Sequence, residues 1–416
     1  MSAMIADELH AVLAKPIRVE AYDGSAAGPP GAPVLRLRSR KALAHLVSAP
    51  GELGLVRAYV SGELDLVAPD HYSALRALAG DTIGDLTARQ RLSALRRLGR
   101  EALTWVEPPP QEVGARRYVA GLRAHTLGRD AVAIAHHYDV SNLFYSWVLG
   151  PSMAYTCAVY AEDSTTLEQA QAAKFDLVCR KLGLRPGMRL LDVGCGWGGM
   201  AVHAATHYDV EVVAVTLSRR QAEWGQKVVA ESGLTGQVDI RHQDYRAVPE
   251  TGFDAISSIG LTEHVGIKGL PDYARRLAGK LRPQGRLLNH CITRADEQAA
   301  AISKRGFIAR YVFPDGELPG VGRVVRELEA AGLEVRHEEN LREHYARTLH
   351  AWCDNLDARW DDAVTEVGQG TARVWALYLA GSRLAFERND IQLHQVLAVR
   401  TTEGFSGMPL RPDWGV

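Results

Sequence analysis

The stretch Leu190-Leu191-Asp192-Val193-Gly194-Cys195-Gly196-Trp197-Gly198-Gly199 runs apolar up to an aspartate and then opens into glycines. It reads as a buried strand turning into a helix, because such a turn needs backbone conformations that glycine adopts at little cost. Backbone without side chains also lets a ligand lie against it. The pattern places a cofactor at this turn.

Neither phosphate loop matches in full. No Gly-Lys-Ser/Thr follows, so a triphosphate cradle lacks its lysine. Gly194, Gly196 and Gly199 fit the bare Gly-x-Gly-x-x-Gly pattern of dinucleotide sites, yet the second strand, Glu211-Val212-Val213-Ala214-Val215, ends at Thr216-Leu217-Ser218 where that motif wants an acid. The Asp-x-Gly-x-Gly form, with the acid on the strand, is more typical of S-adenosylmethionine methyltransferases. NAD, and a tight turn without ligand, stay open on the loop alone.

The 416 residues allow two domains. A composition of 46% hydrophobic and 23% charged residues is that of an ordinary globular protein. The formal net charge of -1 supplies no global field toward nucleic acid, which is not an expected partner. Cys157, Cys179, Cys195, Cys291 and Cys353 are scattered without Cys-x-x-Cys spacing, which speaks against a disulfide framework and a structural zinc. A reducing cytoplasm is the expected compartment. With no uninterrupted apolar run of roughly 18 residues, membrane spanning is not expected, and any lipid would be met from the surface.

Residues 1 to about 22 read as helical and then extended, Val34–Arg38 as a strand, and Ser39 to about Ala102 as helical. Within that span Leu86–Arg100 carries Arg89, Arg91, Arg96, Arg97 and Arg100 beside leucines, the pattern of an amphipathic helix that docks on anionic headgroups or stays solvated. Pro108-Pro109-Pro110 cannot continue a helix and marks a boundary near residues 105–125. The expected domains are 1–120 and 121–416. The aromatic-rich run from His136 to Tyr160 fits a lid, followed by a helix over Thr166–Leu182.

From there strands and helices alternate, which predicts an α/β domain with a parallel sheet. The strands are Arg189–Val193, Glu211–Val215, Val238–His242, Phe253–Ile259 and Gly285–Ile292, and later Leu333–Glu338 before a helical tail. Ligands in such sheets bind at the carboxyl ends of the strands. Those ends carry Asp192, Thr216, Asp244, Glu263 and His290. Glu263 and His290 together suit an acid/base pair, a metal site or the holder of a small anion. His136, His137, His264 and His350 lack metal-type spacing, so no metal is expected. Cys157 has no activating base nearby in sequence and reads more simply as a small buried thiol.

Seven motifs then fall in order: His137-Tyr138-Asp139-x-x-Asn142-x-Phe144-Tyr145, Met153-x-Tyr155-x-Cys157, the glycine loop, Val215-Thr216-Leu217-Ser218-x-x-Gln221, Glu263-His264-Val265-Gly266, Tyr311-x-Phe313-Pro314-x-Gly316-x-Leu318-Pro319, and Tyr345-x-x-Thr348-Leu349. From about Asp130 onward the chain resembles the cyclopropane fatty acid synthases and mycolic acid methyltransferases. Leu287-Leu288-Asn289-His290 and Arg342-Glu343-His344-Tyr345-Ala346 look most like the actinobacterial branch that makes 10-methylene, then 10-methyl (10-methylstearate pathway), fatty acids.

The resemblance implies a Rossmann-like class I S-adenosylmethionine-dependent methyltransferase fold with a smaller, mainly helical N-terminal domain that presents lipid and supports a homo-oligomer. It implies that Gly194 and Gly196 pass under the methionine part of the cofactor, beside Asp192. Thr216, Leu217 and Gln221 would hold ribose and adenine, Asp244 would lie near the adenine, and Tyr155 and Thr156 would close over the cofactor, although the family often has serine at Thr156. Bicarbonate as catalytic base would be held by Cys157, Glu263, His290, Ile292 and Tyr345, with Cys157 and Ile292 acting through backbone. The implied substrate is a phospholipid-bound oleoyl chain at the inner membrane face, and a separate, flavin-dependent reductase would act on the product.

Overall fold

The computed structural model describes residues 4–49, 51–79, 105–112, 141–295, 306–314 and 316–415. The basic stretch Leu86–Arg100 and the His136-His137-Tyr138-Asp139 motif lie outside the described residues.

The chain divides into two compact units. The first takes residues 1–120 together with 303–314 and 352–384, so the division is not contiguous in sequence. Here helices Ile5–Leu13, Arg40–Ser48, Glu52–Val60 and His71–Leu78 surround a sheet of β1 (Arg18–Glu20), β2 (Ala26–Ala27), β3 (Val34–Leu37) and β4 (Leu64–Val67) in the order β2-β1-β3-β4. β4 corrects the expectation of helix throughout residues 39–102. It is started by the turn at Ser61-Gly62, where Gly62 has φ 81, and it pairs antiparallel with β3. Side chains such as Leu9, Ile17, Leu35, Leu43 and Tyr59 form the core.

Two buried ionic clusters tie this unit together. Arg373, 7% exposed, donates to the carbonyls of Tyr59 (2.6 Å) and Leu64 (2.9 Å) and to Asp65 Oδ1 (2.7 Å). After the three prolines, the Glu112 carboxylate accepts from Arg57 Nε and Nη2 (2.6 and 2.7 Å), Arg310 (3.2 Å) and the Tyr311 hydroxyl (3.2 Å).

The second unit comprises residues 121–302, 315–351 and 385–416. Its strands are β5 (Arg189–Val193), β6 (Glu211–Thr216), β7 (Val238–His242), β8 (Phe253–Ile259), β9 (Leu281–Arg294), β10 (Glu334–Asn340) and β11 (Ile391–Val399). They lie in the order β10-β11-β9-β8-β5-β6-β7. The five strands from β7 to β9 run parallel, and β11 inserts antiparallel between β9 and β10. β11 corrects the expected all-helical tail. Its run Ile-Gln-Leu-His-Gln-Val-Leu-Ala-Val is buried over its last seven residues, so it lacks the alternation that betrays a half-exposed strand. β9 runs fourteen residues rather than the eight read from sequence.

Alternation along the parallel strands sends Leu190, Ala214, Ala255 and Leu288 to one face and Leu191, Val215, Ile256 and Leu287 to the other, so each face carries its own core. The chain moves outward from β5 to β6 and β7 and then returns to β8. The switch point between β5 and β8 opens a crevice at the strand carboxyl ends. Among the described residues no helix is long and apolar enough to cross a membrane.

Arg373→Ala leaves two carbonyls and part of Asp65 without donors in the interior, and is expected to destabilise the first unit by about 3 kcal/mol. Arg38→Ala removes the half-exposed partner of the same carboxylate and is expected to cost less than about 1 kcal/mol. Denaturant unfolding of both variants checks the order.

Candidate active site

Asp192 is the last residue but one of β5 and is 1% exposed. Its Oδ1 accepts from the Ser257 hydroxyl (2.6 Å), while Oδ2 is shut off from solvent with no hydrogen-bond partner among the described residues. Burial pushes its pKa up to about 6, against the pull of Ser257 and of the nearby Lys174 charge. The loop that follows turns with Gly194 at φ 77 and Gly196 at φ 55. The amides of Gly194 and Cys195 both donate to the carbonyl of Val215, at 2.9 and 3.0 Å, which anchors the loop to β6. A Cβ on Gly196 would meet nothing within 4 Å, because that side of the loop faces open space.

That space is a cleft of about 250 Å³. Tyr155, Thr156, Asp192, Gly194, Gly196, Thr216, Leu217, Gln221 and Asp244 all line it. The Thr216 hydroxyl donates to Gln221 Oε1 (2.8 Å) and accepts from the Ser218 amide (3.2 Å), which locks both side chains at the end of β6. Asp244 accepts from the Arg246 guanidinium, Nε at 2.8 Å and Nη2 at 2.7 Å, so its carboxylate is already paired.

The helix Leu167–Leu182 supplies residues that pattern reading passed over. Gln171, Lys174 and Lys181 are buried on it. Spacings of three and seven put them on one face, the same stripe as Val178. Polar residues inside an apolar helical stripe were the available signal. Gln171 Nε2 donates to the carbonyls of Ala154 (3.3 Å) and Thr156 (2.8 Å), and Lys174 Nζ donates to the Thr156 hydroxyl (3.0 Å). The same amine sits 3.6 Å from the Phe175 ring centroid. Burial lowers its pKa to about 7.

The second set gathers where β8 stops and β9 continues. The amide of Gly260 donates to the carbonyl of His290 (2.9 Å), closing the β8–β9 ladder. Two residues on, the Ile292 amide points the same way and donates to Glu263 Oε1 (2.7 Å). The carboxylate thus takes the place of the next strand carbonyl, and the Ile292 amide is committed to Glu263 rather than left for a ligand. The turn that carries Glu263 is pinned by Thr262, whose hydroxyl donates to Asn289 Oδ1 (2.8 Å), and by the amide of Glu317, which donates to the Glu263 carbonyl (3.2 Å). Glu263 Oε2 is buried without a partner among the described residues, and burial raises the carboxyl to about 7.

His290 shares a face of β9 with Ile292. It is 1% exposed, and burial, with the Lys174 and Lys181 charges, holds its pKa well below the usual imidazole range. Its Nδ1 lies 3.2 Å from Gln395 Nε2, a residue on β11 that sequence reading missed with the strand itself, and its Nε2 is buried without a partner among the described residues.

Cys157 is fully buried, its Sγ directed at the carbonyls of Ala158 (3.2 Å) and Leu341 (3.7 Å), and burial pushes the thiol well up, which removes it as a nucleophile. The Leu341 amide in turn donates to the carbonyl of Leu393 (2.8 Å), the register partner of Ile292. Tyr345 starts one turn later, its amide on the Leu341 carbonyl (3.1 Å) and its ring 4.5 Å from that of Phe386. Leu341 therefore links Cys157, Ile292 and Tyr345. Among the described residues no group of three His, Cys, Asp or Glu side chains is placed to hold a metal ion.

Gly196→Ala meets no neighbouring atom but places a side chain at φ 55, a strain of about 1–2 kcal/mol that the fold is expected to bear, and is expected to lose about tenfold or more in affinity for S-adenosylhomocysteine by calorimetry. A second expectation concerns pH. Glu263 titrates at about 7 in the fold against an ordinary 4.5. The folded chain therefore holds the proton that the unfolded chain releases, and stability falls as pH rises between those values. The effect is at most about 3 kcal/mol. Glu263→Gln should flatten that part of the stability profile in denaturant titrations at pH 5 and 7.5.

Residues 125–396 match the family model described as mycolic acid cyclopropane synthetase. A Mycobacterium tuberculosis protein named "Probable fatty acid methyltransferase" is 54% identical over 406 residues, covering 96% of this chain and 95% of that protein. The cyclopropane-fatty-acyl-phospholipid synthase of Escherichia coli is 37% identical over 288 residues, covering 68% of this chain and 73% of its own. Among solved structures, mycolic acid cyclopropane synthase CmaA1 complexed with SAH and CTAB superposes with a TM-score of 0.61 at 33% identity, over 65% of this chain and 98% of that one. The glycine loop, the switch-point cleft and these likenesses agree: the chain belongs to the mycolic acid cyclopropane synthetase family of S-adenosylmethionine-dependent methyltransferases.

Proposed function

We propose that this chain methylates the cis double bond of a phospholipid-bound oleoyl chain and leaves a 10-methylene branch, which a separate, flavin-dependent reductase converts to 10-methyl. S-adenosylmethionine, bound along the glycine loop, supplies the methyl group as an electrophile. The observation that carries the reading is the pair of buried atoms without partners, Glu263 Oε2 and His290 Nε2, at one end of β9. A buried polar atom left unpaired costs about 1–3 kcal/mol, and these two belong to a carboxyl bonded to the Ile292 amide and to His290 two residues earlier on β9, which supports a small polar ligand there.

That pair suits an oxyanion. At about 7 the Glu263 carboxyl carries a proton over much of the neutral range and offers an O–H, and His290 in its neutral form offers an N–H. Glu263, His290 and Tyr345, with the backbone of Cys157, would hold bicarbonate, which supplies a base, while the Ile292 amide serves by holding the Glu263 carboxyl in place. The chain's own part is to keep that place dry and to keep its donors aimed, since an alkene that accepts a methyl cation develops positive charge on carbon that water would trap.

The fate of that charge separates two products. Loss of a proton from the new methyl while the charge is on the neighbouring carbon closes a cyclopropane; a prior hydride shift leaves an exocyclic methylene. The methylene reading is supported by the name fatty acid methyltransferase on the relative matched over 96% of the chain. Ring closure, the second reading, is supported by the E. coli cyclopropane synthase at 37% identity. On either, residues 1–120 present lipid and support a homo-oligomer peripheral to the inner membrane face, with Arg89–Arg100 as the headgroup contact.

Full-length protein incubated with methyl-labelled S-adenosylmethionine and dioleoyl phospholipid vesicles is expected to place label in the acyl chains, as a product that takes up hydrogen over a catalyst. Labelled product inert to hydrogenation is the cyclopropane and decides for the second reading. No label with folded, cofactor-binding protein removes both. Glu263→Gln should cut turnover by about 10²-fold or more while S-adenosylhomocysteine affinity stays within about twofold.

A further inference from the structure

Glu339, Gln395 and His290 lie in one row across β10, β11 and β9, each the register partner of the next. Lys181, from the helix Leu167–Leu182, reaches this row with a fully buried side chain. Its Nζ donates to Gln395 Oε1 at 2.7 Å and pairs with Glu339 Oε2. Gln395 Nε2 then stands 3.2 Å from His290 Nδ1. The Glu339 carboxylate at the far end is 38% exposed, so the row runs from solvent to the buried imidazole.

The donor and acceptor inventory along this row leaves one arrangement. An ammonium paired with a carboxylate has donors and no acceptor, so only the oxygen of the Gln395 amide can face Lys181. The NH₂ group must therefore face His290. An NH₂ has no acceptor, so the Nδ1 it meets must carry a lone pair and no proton. In a neutral imidazole the proton then sits on Nε2, the buried atom without a partner among the described residues. We infer that Lys181, acting through Gln395, fixes His290 as the Nε2–H tautomer and so makes it a hydrogen-bond donor toward the anion held beside Glu263. The anion part of this statement rests on the function proposed above; the tautomer part does not. Lys181 and Gln395 are positioning residues, since neither reaches the pair of unpaired atoms. Outer-shell partners that orient a ligating histidine by the same logic are worth about 10- to 100-fold in affinity.

Nitrogen-15 spectra of histidine-labelled full-length protein, with the His290 signal identified by its absence in His290→Gln, read the tautomer directly. The wild type is expected to show an unprotonated Nδ1 and a protonated Nε2. Lys181→Met releases Gln395 to turn over and should give mixed tautomers. Lys181→Arg keeps a donor-only group and should restore the wild-type pattern. Gln395→Glu presents an acceptor to Nδ1 and should protonate it. In the vesicle assay with added sodium bicarbonate, Lys181→Met should raise the bicarbonate concentration for half-maximal rate by about 10- to 100-fold, with S-adenosylmethionine KM within about twofold and Lys181→Arg near wild type. A protonated Nδ1 in the wild type, or a wild-type pattern in Lys181→Met, overturns the inference. A changed tautomer with unchanged bicarbonate dependence upholds the relay and counts instead against the anion reading of the site.

Discussion

The hydrogen bond from the Ile292 amide to Glu263 Oε1 is the contact that ties the end of β9 to the segment after β8. It exists because β8 ends at Ile259 while β9, supported on its other side by β11, continues to Arg294. An amide row that outlasts its neighbouring strand must find other acceptors, because a buried N–H without one is costly. Glu263 answers that need with one oxygen and keeps the other without a partner among the described residues. The fold thereby turns an overhang of the sheet into a carboxyl held at a stated place, and burial turns that carboxyl into a group that titrates near neutrality.

The helix Leu167–Leu182 is the second support, and it works against ordinary helix economy. A stripe that packs on a sheet is expected to be apolar, yet this one carries Gln171, Lys174 and Lys181. Each is matched to a partner that orients a site segment: Gln171 holds the carbonyls of 154 and 156, Lys174 the Thr156 hydroxyl, and Lys181 the Gln395 amide. Buried amines without full pairing cost stability, and the depressed pKa of Lys174 expresses that cost. Such costs gather at functional sites.

The glycine loop and the Glu263–His290 end of β9 are distinct in kind. The loop is a general device for laying a cofactor against backbone, and many methyltransferase folds share it. What sets the second place apart is that Glu263 Oε2 and His290 Nε2 are buried there without partners among the described residues. Family membership extends over both, since the family model spans residues 125–396 and takes in the loop, Glu263, His290 and Tyr345 together.

The sequence by itself determined the strand and helix order from Arg189 to Leu281, because parallel strands buried on both faces read as short apolar runs separated by amphipathic helices. The family resemblance carried by the motifs also named residues that line the cleft, from Tyr155 and Thr156 to Gln221 and Asp244. β4 escaped because four residues after a tight turn carry too little pattern, and β11 because a fully buried strand does not alternate. Only the tertiary structure decided that Gln395 stands beside His290, that Lys181 dictates the orientation of its amide, and that the Ile292 amide is taken by Glu263. Those partners come from elements up to 214 residues apart in the chain. Hydrogen-bond identity at that range is set by strand register and helix packing, which no local spacing encodes.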